Sequence, residues 1–590
     1  MRLAIIDREL CNPDKCNKEC YRFCPGVRMG EKTVTFEEGI PIISEVLCTG
    51  CGICVKKCPF KAIKIVNLPE ALEHDLIHQY GPNGFRLFRL PIVKFGRVLG
   101  IVGRNGTGKT TAVNILSGKL NPNFGKEKEA TVEEVLEYFR GTILHDYFKM
   151  LYDKRIRVSL KPQPVYLLPR VVKGKVKSLL SKVDERGKLD EVVERLDLKE
   201  ALNRDVKELS GGELQRLAIA ATSLKDAHVY IFDEPSSYND VYQRLRLAKF
   251  IRGLLSERKA VIVVDHDLAF LDYLSDEVSV VYGDPGAYGI FSRPESVRTG
   301  INIFLDGYIP ADNVRFRDRS ITFEKRTPPK ATIDEGYIIT EYTKLVKELN
   351  GFTLTVEPGK INRGEVIGIL GPNAIGKTTF VRMLVGELKP DSGEFLVQAG
   401  ELSYKPQYLS HDFEGTVRDF LFKAGGNDAF SEFNMSSLIH PLGLDKLMER
   451  DVKDLSGGEL QKLYVTACLI KDADVYLLDE PSAFIDVEDR LTLATAINRY
   501  IKMRGKTGVV VDHDLILVDC VSDRIMVFDG EPGVNGLAHT PTDKRSGFNM
   551  FLKDVGITIR REPKTGRPRI NKEGSRLDRL QKEKGEYFYE

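Results

Sequence analysis

Val98-Leu-Gly-Ile-Val-Gly103-Arg-Asn-Gly-Thr-Gly-Lys109-Thr110-Thr111 joins an apolar segment directly to a glycine-rich turn. The apolar half is typical of a buried strand, and the Gly-x4-Gly-Lys-Thr pattern after it indicates a phosphate-binding loop at the start of a helix. Glycines let backbone N–H groups approach phosphate oxygens, the lysine reaches the β- and γ-phosphates, and the threonine hydroxyl can bind Mg²⁺. The stretch therefore predicts an α/β nucleotide-binding domain.

The same pattern returns as Gly371-Pro-Asn-Ala-Ile-Gly-Lys377-Thr378-Thr379, again after an apolar strand. Other motifs also occur twice: Lys-Pro-Gln, Leu-Ser-Gly-Gly-Glu-Leu-Gln, Asp-Glu-Pro after an apolar run, and Val-Val-Asp-His-Asp. One phosphate loop can be a chance match, but two in register with several shared motifs cannot plausibly be one. The chain is therefore a duplicated unit.

The two copies differ by one insertion. Their offset is 268 residues at Lys109 and Lys377 but 244 residues at Gln163 and Gln407, so the first copy carries 24 additional residues between these points. That segment has apolar residues at helical spacing around Gly141, which predicts a helix-loop-helix at about 131–157. It is a candidate contact with a partner, or else structural padding.

Each copy contains a pair of neighbouring carboxylates after an apolar strand, Asp233-Glu234 and Asp479-Glu480. One carboxylate can serve the Mg²⁺ shell while the other orients the attacking water, which suits ATP hydrolysis. His266 and His513 follow a second apolar strand. A single histidine there is more often a packed core residue, but the matched placement favours a sensor of the γ-phosphate.

Eight of the ten cysteines lie within the first 58 residues. Cys48-x2-Cys51-x2-Cys54-x3-Cys58-Pro matches the bacterial ferredoxin pattern, in which the fourth cysteine binds the other cluster. An earlier run with wider spacing also ends in Cys-Pro. If the last cysteine of each run binds the cluster of the other run, the sequence predicts two [4Fe–4S] clusters. Their ligands are Cys24, Cys48, Cys51 and Cys54 for one, and Cys11, Cys16, Cys20 and Cys58 for the other. Zinc sites or disulfides are the alternatives, and the clusters can be structural or redox-active.

Composition limits the remaining classes. The 590 residues carry 87 Lys plus Arg and 85 Asp plus Glu, so a globally basic nucleic-acid coat is excluded, although local basic patches are not. No apolar run is long enough to span a membrane, and a charge at Asp7 interrupts the start before a signal peptide could form. These features predict a cytoplasmic protein without membrane segments.

The repeated motifs resemble the ATP-binding cassette superfamily, and together with the cysteine runs they resemble its subfamily E, the ribosome-recycling ATPases also called RNase L inhibitors. The resemblance covers essentially the whole chain. It implies an α/β fold with two tandem phosphate-loop nucleotide-binding domains and an N-terminal α+β ferredoxin-like domain. The implied boundaries are 1–75 for the cluster domain, 76–292 for the first cassette, 293–320 for a hinge, 321–540 for the second cassette, and 541–590 for a basic second hinge.

In this family each ATP lies between the Walker motifs of one cassette and the signature of the other, and the resemblance carries these roles over to the matching residues. The first site comprises Gly103, Asn105, Gly106, Gly108, Lys109, Thr110, Thr111, Gln163, Asp233, Glu234 and His266, with Ser456, Gly457 and Gly458. The second comprises Gly371, Asn373, Gly376, Lys377, Thr378, Thr379, Gln407, Asp479, Glu480 and His513, with Ser210, Gly211 and Gly212. The predicted Mg²⁺ ligands are Thr110, Gln163, Thr378 and Gln407.

Further positions follow from the same resemblance. Asp240 and Asp486 match the D-loop. Ala374 replaces a glycine of the loop, and the two D-loops differ, so the two sites are expected to hydrolyse ATP at unequal rates. An aromatic ring upstream of each phosphate loop is expected to stack on adenine, or else to belong to the core. The candidates are Tyr80 or Phe85 in the first copy and Tyr342 or Phe352 in the second.

The implied function is ATP-driven splitting of ribosomes after termination or stalling. A release-factor-like protein is the expected neighbour, and the contacts are with the small subunit and ribosomal RNA; neither DNA nor a membrane is expected, and the chain is expected to be a monomer whose cassettes pair internally. Closure would swing the cluster domain on a linker near Pro69 to Pro82. The basic stretches Arg315 to Arg319 and Arg560 to Lys584 are either hinges that touch RNA or solvated segments. The alternative functions are an ATPase that gates electron transfer or assists cluster assembly, and a soluble transporter cassette.

Overall fold

The structure is a computed structural model that describes residues 2–8, 10–37, 39–68, 70–318, 320–321, 323, 338–349, 351–397 and 400–589. It divides into two compact units. The first comprises Met1–Ser237, Lys249–His266 and Leu274–Ser320, and the second comprises Tyr238–Ala248, Asp267–Tyr273 and Ile321–Glu590. Pro69 of the predicted linker and Arg319 of the predicted basic stretch lie outside the described residues.

The first unit begins with a small α+β part that contains the eight cysteines. Its outer strands, Arg2–Ile6 and Ile63–Asn67, pair antiparallel, and Val34–Glu37 forms a hairpin with Ile40–Ile43. Three short helices, Glu19–Arg22, Pro25–Arg28 and Ile53–Lys57, follow or contain cysteines. The buried side chains of this part include Cys20 and Cys54 beside aliphatic residues. The sequence predicts an α+β ferredoxin-like domain here, and the structure confirms it.

A nine-stranded sheet is the main sheet of the rest of the first unit, beside a small pair of strands, Tyr308–Ile309 and Val314–Arg315. Its main path runs, in spatial order, Leu76–Gln79, Arg86–Phe88, Tyr288–Phe291, Glu277–Tyr282, Val98–Gly103, Ala260–Val264, Val229–Asp233 and Val158–Lys161, with Glu295–Ser296 beside Glu277–Tyr282. The last five strands of this path are parallel. They are almost entirely apolar, because a parallel sheet is covered on both faces. The strand ends meet at one edge, where the phosphate loop begins.

The helices of this stretch of the chain are Lys109–Leu116, Val132–Tyr138, Ile143–Tyr152, Leu168–Val171, Val176–Val183, Leu189–Arg195, Gly211–Leu224, Val241–Arg252, Leu268–Leu274 and Val297–Asp306. The boundary between the two units passes through Val241–Arg252 and Leu268–Leu274. The 24-residue insertion contains two helices joined around Gly141, whose φ is 78°. Thr131 and Glu134 form a reciprocal capping box that fixes the start of the first of them.

The second unit contains a sheet with the same strand order. Its main path runs Leu345–Leu349, Phe352–Val356, Asn535–Ala538, Arg524–Glu531, Val366–Leu370, Thr507–Val511, Val475–Asp479 and Leu402–Lys405, with Thr542–Asp543 beside Arg524–Glu531. Its helices include Lys377–Val385, Val417–Gly425, Gly457–Ile470, Val487–Met503, Leu515–Val521 and Lys544–Val555. Gly359–Asn362, Ile338–Tyr342 and Phe395–Val397 form a small additional sheet. The predicted fold class of two tandem phosphate-loop domains and an N-terminal α+β domain is confirmed.

The basic C-terminal segment has regular structure rather than the form of a solvated tail. Strands Ile559–Arg561 and Pro568–Ile570 make an antiparallel hairpin, Phe588–Tyr589 adds a parallel strand, and Arg576–Lys584 is helical. Three of its arginines pair with two buried aspartates. Arg567 and Arg569 contact Asp272 at 3.1 and 2.7 Å, and Arg561 contacts Asp519 at 3.0 Å. These three arginines are therefore engaged within the protein.

The two aspartates hold equivalent positions, each six residues after a predicted sensor histidine. Asp272 and Arg567 are both fully buried, and Asp519, also bonded by Lys544, is nearly so. Burial acts to raise the pKa of Asp519, but the positive charges of Lys544 and Arg561 outweigh it and lower that pKa. A buried charge is tolerated only when it is paired, so the hairpin depends on both aspartates.

We expect Asp272→Ala to destabilise the second unit by about 3–5 kcal/mol, because it leaves two arginines buried without their counter-charge. The measurement is the shift of the thermal or urea unfolding transition of the full-length chain. Glu194→Ala is the matched control, since Glu194 pairs with Lys199 on an exposed surface. An equal shift for both variants would contradict the importance of the buried pair.

Candidate nucleotide sites and cysteine clusters

The first phosphate loop is a turn between the strand Val98–Gly103 and the helix Lys109–Leu116. The Lys109 ammonium donates to the carbonyl oxygens of Gly103 and Arg104 at 2.9 and 2.7 Å. Gly108 has a φ of 88°, and a Cβ there would lie 2.7 Å from the Phe85 ring. Only glycine fits this position. The loop therefore encloses its lysine at the N-terminus of the helix Lys109–Leu116, where free backbone N–H groups favour an anion.

The second loop repeats this arrangement. Lys377 donates to the carbonyl oxygens of Gly371 and Pro372, and burial lowers its pKa to about 8. Ala374 takes the left-handed conformation with a φ of 57°, at the position where the first loop has Gly106 with a φ of 73°. A non-glycine residue in this region costs about 1–3 kcal/mol. The loop therefore keeps its conformation at Ala374, and the alanine takes on backbone strain there.

The Walker carboxylates lie beside these loops. The Thr110 hydroxyl donates to Asp233 at 3.3 Å, and the Thr378 hydroxyl donates to Asp479 at 3.0 Å. Hydroxyl and carboxylate oxygens are the ligands that Mg²⁺ prefers. The residues present therefore fit a magnesium ion bound with nucleotide phosphates.

Each glutamate that follows is held by its predicted neighbours. The Gln163 amide donates to Glu234 at 2.8 Å, and the Gln407 amide donates to Glu480 at 2.7 Å. In both copies the histidine Nε2 lies 3.3 Å from the glutamate Oε1. Because each glutamine uses its NH₂ group on the glutamate, its carbonyl oxygen is left for the metal.

The two carboxylates of each pair have opposite pKa shifts. Burial and the charge of Glu234 raise the pKa of Asp233. Burial would also raise the pKa of Glu234, but His266, Lys109 and Lys161 outweigh it and lower that pKa to about 2. The second pair shifts in the same directions. Each glutamate is thus ionised and able to orient water, and a bound Mg²⁺ would favour the ionised form of each aspartate.

The histidines predicted to sense the γ-phosphate have polar atoms without a well-aligned hydrogen bond. His266 is buried, and its Nδ1 has no hydrogen-bond partner among the described residues; the Nε2 atoms of His266 and His513 lie 3.3 Å from Glu234 and Glu480 but outside hydrogen-bond geometry. Buried polar atoms are normally bonded, so an orphan at this place indicates a missing ligand. A γ-phosphate oxygen is an acceptor that such a ring nitrogen could bond.

The signature motifs begin helices in both units. The Ser210 and Ser456 hydroxyls accept from the backbone of Glu213 and Glu459, and each glutamate caps its serine in return. Gly211, Gly212, Gly457 and Gly458 form the first helical turns. The second unit also contains Asp240, whose carboxylate accepts from the backbone N–H of Asn373 at 2.8 Å. Asp486 caps the helix Val487–Met503. Completion of each site by the other signature stays a prediction.

The aromatic candidates for adenine separate into two groups. Tyr80 is 47% exposed, and its hydroxyl lies 3.2 Å from that of Thr111 at the phosphate-loop helix. Phe85 packs on Gly108, and Phe352 packs on Gly376. Tyr342 is only 1% exposed and contacts Phe380 and Phe395 in the core. Of the two alternatives for Tyr342, the core position is the correct one.

The N-terminal cysteines fall into two groups, because the cysteines that raise the pKa of Cys54 differ from those that raise the pKa of Cys20. Burial and the charges of Cys48, Cys51 and Cys24 raise the pKa of Cys54 to about 11. Burial and the charges of Cys11, Cys16 and Cys58 raise that of Cys20 to about 11. No three metal-binding side chains among the described residues converge on a point suited to one ion. An iron–sulfur cluster is larger than a single ion, and its iron would favour the thiolate form of the cysteines that hold it.

Sequence reasoning missed two sets of residues. From the repeated Lys-Pro-Gln motif, only the glutamine was assigned a role. Lys161 and Lys405 of that motif also lie against the carboxylate pairs. Their repetition in both copies was the available signal. Sequence reasoning also missed Asp272 and Asp519, whose repetition six residues after the paired histidines was the available signal but does not identify their arginine partners.

Comparisons with known proteins agree with this geometry. Residues 92–237 and 357–483 match the ABC transporter family, residues 41–64 match a 4Fe-4S binding domain, and residues 1–32 match a possible Fer4-like domain in RNase L inhibitor. An uncharacterized ABC transporter ATP-binding protein of Methanocaldococcus jannaschii is 54% identical, and ABC transporter E family member 1 of Arabidopsis thaliana is 46% identical. Both alignments cover 100% of this chain and 98% of the relative.

The chain belongs to the RNase L inhibitor family, family E of the ABC proteins. Two solved structures of this family resemble it. One is from a model of ribosome-bound archaeal Pelota and ABCE1, with 54% identity, a TM-score of 0.93, and coverage of 100% of this chain and 99% of that chain. The other is the complex of archaeal ribosomal stalk protein aP1 and archaeal ribosome recycling factor aABCE1, with 53% identity, a TM-score of 0.83, and coverage of 88% and 100%.

This RNase L inhibitor family member is an ATPase that uses nucleotide and Mg²⁺, and its N-terminal part binds iron–sulfur clusters. Within the part of the chain that the structure describes, no helix combines the length and apolar character needed to cross a membrane.

Proposed function

We propose that this ATPase is a ribosome recycling factor that splits post-termination or stalled ribosomes into subunits. The observation that carries the proposal is the full-length resemblance to ABCE1 in a ribosome-bound complex with Pelota. Two complete sets of hydrolytic residues, each with an ionised glutamate, support an ATP-driven process. The comparisons do not favour an ATPase that gates electron transfer or assists cluster assembly.

The partners follow from the same relatives. We propose that the chain binds the small ribosomal subunit and its RNA, with a release-factor-like protein beside it, and that it works in the cytoplasm as a monomer. Exposed basic side chains on the C-terminal segment supply candidate phosphate contacts: Lys564, Lys572, Arg576, Arg579 and Lys584. Arg561, Arg567 and Arg569 are excluded from this set because they bond Asp519 and Asp272. Binding through phosphates should weaken steeply with salt.

The free energy for splitting the ribosome would come from nucleotide-dependent closure of the two cassettes. In the proposal, Ser456 completes the first site and Ser210 the second, and each bonds the γ-phosphate only in a closed state. Such a ligand shifts the equilibrium by its difference in affinity for the two states. Moving a 1:99 population to 99:1 takes about 5.5 kcal/mol, which two nucleotides with several charge-assisted bonds could supply.

The cluster domain has firm attachments to the first phosphate-loop domain, and these would transmit movement. The Asn83 side chain donates to the carbonyls of Ala4 and Ile43 at 2.9 Å and accepts from the Ile43 N–H. Arg86 pairs with Glu45, and Lys64 pairs with Asp284 at 2.8 Å. We therefore propose that the cluster domain moves as a rigid body on the linker near Pro69 to Pro82. The boundaries near 75, 292, 320 and 540 are part of the same proposal.

We also propose two [4Fe–4S] clusters with exchanged fourth ligands. Cys24, Cys48, Cys51 and Cys54 would hold one, and Cys11, Cys16, Cys20 and Cys58 the other. The grouping of thiol charges around Cys54 and Cys20 supports this assignment. A domain of this size has a small core, so the clusters would at least stabilise its fold.

Splitting is tested with purified post-termination ribosomes, release factor, ATP and the full-length chain. We expect ATP-dependent separation into subunits. Glu234→Gln combined with Glu480→Gln should lower the rate of repeated splitting by about 10²-fold or more, because each water loses its orienting carboxylate. The variant should also stay bound to the small subunit. Light scattering and sucrose-gradient sedimentation measure both effects.

Two controls accompany this experiment. Glu194→Gln changes an exposed glutamate and should split ribosomes normally, whereas a chain that begins at residue 76 should bind nucleotide but not split. Absence of both splitting and ribosome association in the unmodified chain would refute the proposal.

The ligand exchange is tested by iron content and electron paramagnetic resonance of full-length protein purified without oxygen. Cys24→Ser and Cys58→Ser should each remove one cluster, leaving about four of about eight irons. Combining Cys24→Ser with Cys54→Ser should remove nothing further, whereas combining it with Cys58→Ser should remove both clusters. If each cysteine run instead held its own cluster, Cys24→Ser with Cys54→Ser would remove both clusters, and that result would contradict the exchange.

A further inference from the structure

Two lysines that were not assigned to the nucleotide-binding motifs are buried beside the hydrolytic carboxylates. Lys161 is fully buried and Lys405 is 1% exposed. Each ends the last strand on one side of its sheet, two residues before the metal-binding glutamine. In the parallel register, Lys161 is the partner of Phe232 and Lys405 is the partner of Leu478, the residues immediately before the Asp-Glu pairs.

Each ammonium group bonds the backbone of the carboxylate pair rather than its side chains. Lys161 donates to the carbonyls of Asp233 and Glu234 at 2.6 and 3.3 Å. Lys405 donates to those of Asp479 and Glu480 at 2.7 and 3.1 Å. In the first unit the Gln215 amide also donates to the Glu234 carbonyl. The same two-carbonyl contact thus occurs independently in both copies.

The backbone that these lysines hold is strained. Glu234 has a φ of 49° and Glu480 a φ of 47°, in the left-handed region that non-glycine residues rarely adopt. Residues persist there only when their surroundings fix them. The N–H of each glutamate bonds the adjacent strand, at Val264 and Val511. The lysine bonds the carbonyl groups of the same short segment, so both the N–H and the C=O groups around each glutamate are held.

A lysine suits this position for two reasons. Its ammonium has three donors, enough to bond two carbonyls at once. It also brings a positive charge into a region where Asp233, Glu234 and Asp265 face Lys161, and where Asp479, Glu480 and Asp512 face Lys405. Buried carboxylates need such compensation.

We propose that Lys161 and Lys405 are positioning residues for ATP hydrolysis, which hold the turn after the Walker aspartate so that the glutamate points at the attacking water. They act through Glu234 and Glu480 and do not touch the nucleotide. The proposal rests on the ATPase activity of the family and is independent of ribosome splitting.

The test replaces Lys161 by Met, which keeps the length of the side chain and removes its donors. It uses the full-length chain with clusters intact and with Glu480→Gln present, so that only the first site turns over. We expect kcat to fall by about 10–100-fold, since small displacements of a catalytic group have effects of this size. KM and the Kd of a fluorescent non-hydrolysable ATP analogue should change by less than about twofold. Lys405→Met with Glu234→Gln is the mirror experiment.

Ser159→Ala and Ser403→Ala are the matched controls. These buried serines lie two residues earlier on the same strands and bond the carbonyls of Thr222 and Cys468. They remove a buried hydrogen bond without reaching the glutamate, so kcat should stay within about twofold of the parent.

Two further measurements separate positioning from general stability. Adding Lys161→Met to a chain that already carries Glu234→Gln should cause little further loss, because the lysine acts through that glutamate. If the Met variant folds poorly, Lys161→Ala is assayed with n-propylamine, which should restore part of kcat where 1-propanol does not. A fully additive loss, an unchanged kcat, or a fall in kcat matched by weaker nucleotide binding would each overturn the proposal.

Discussion

Each nucleotide site depends on two adjacent carboxylates that the sheet buries at the end of one parallel strand. Asp233 and Asp479 are buried and Glu234 and Glu480 are partly buried, so the surrounding residues must help to keep the glutamates ionised. The neighbouring histidine and lysine side chains do this by lowering the pKa of each glutamate, while the aspartates have raised pKa values. Bound Mg²⁺ would complete the compensation at the aspartates. Loss of metal and loss of a lysine should therefore both disturb the same group of charges.

The same arrangement of a carboxylate pair with its lysine, glutamine and histidine neighbours occurs in both copies, with small differences around it. The two sheets have the same strand order, and the lysine, glutamine and histidine contacts recur within a few tenths of an ångström. The differences lie at Ala374 and in the D-loops. Unequal hydrolysis rates would therefore arise from the loops around the sites rather than from the carboxylate pairs themselves.

Much of this arrangement could be predicted from the sequence because the motifs are local. A glycine-rich loop after a strand, or a carboxylate pair after an apolar run, specifies its own geometry over a few residues. The roles of Lys161 and Lys405 depend instead on the register between two strands about seventy residues apart in the chain. The Asp272 pairs join residues almost three hundred positions apart, and the burial of Tyr342 is set by Phe380 and Phe395. No local pattern encodes such contacts.

The most direct test of the account is an experimental structure of the Glu234→Gln, Glu480→Gln chain with Mg²⁺ and ATP bound. The account predicts a metal at about 2.0–2.1 Å from the Thr110 hydroxyl and the Gln163 carbonyl oxygen, with Asp233 in its shell. His266 should bond a γ-phosphate oxygen, and the corresponding residues of the second site should do the same. A nucleotide bound without these contacts, or with His266 and residue 234 turned away from the γ-phosphate, would contradict it.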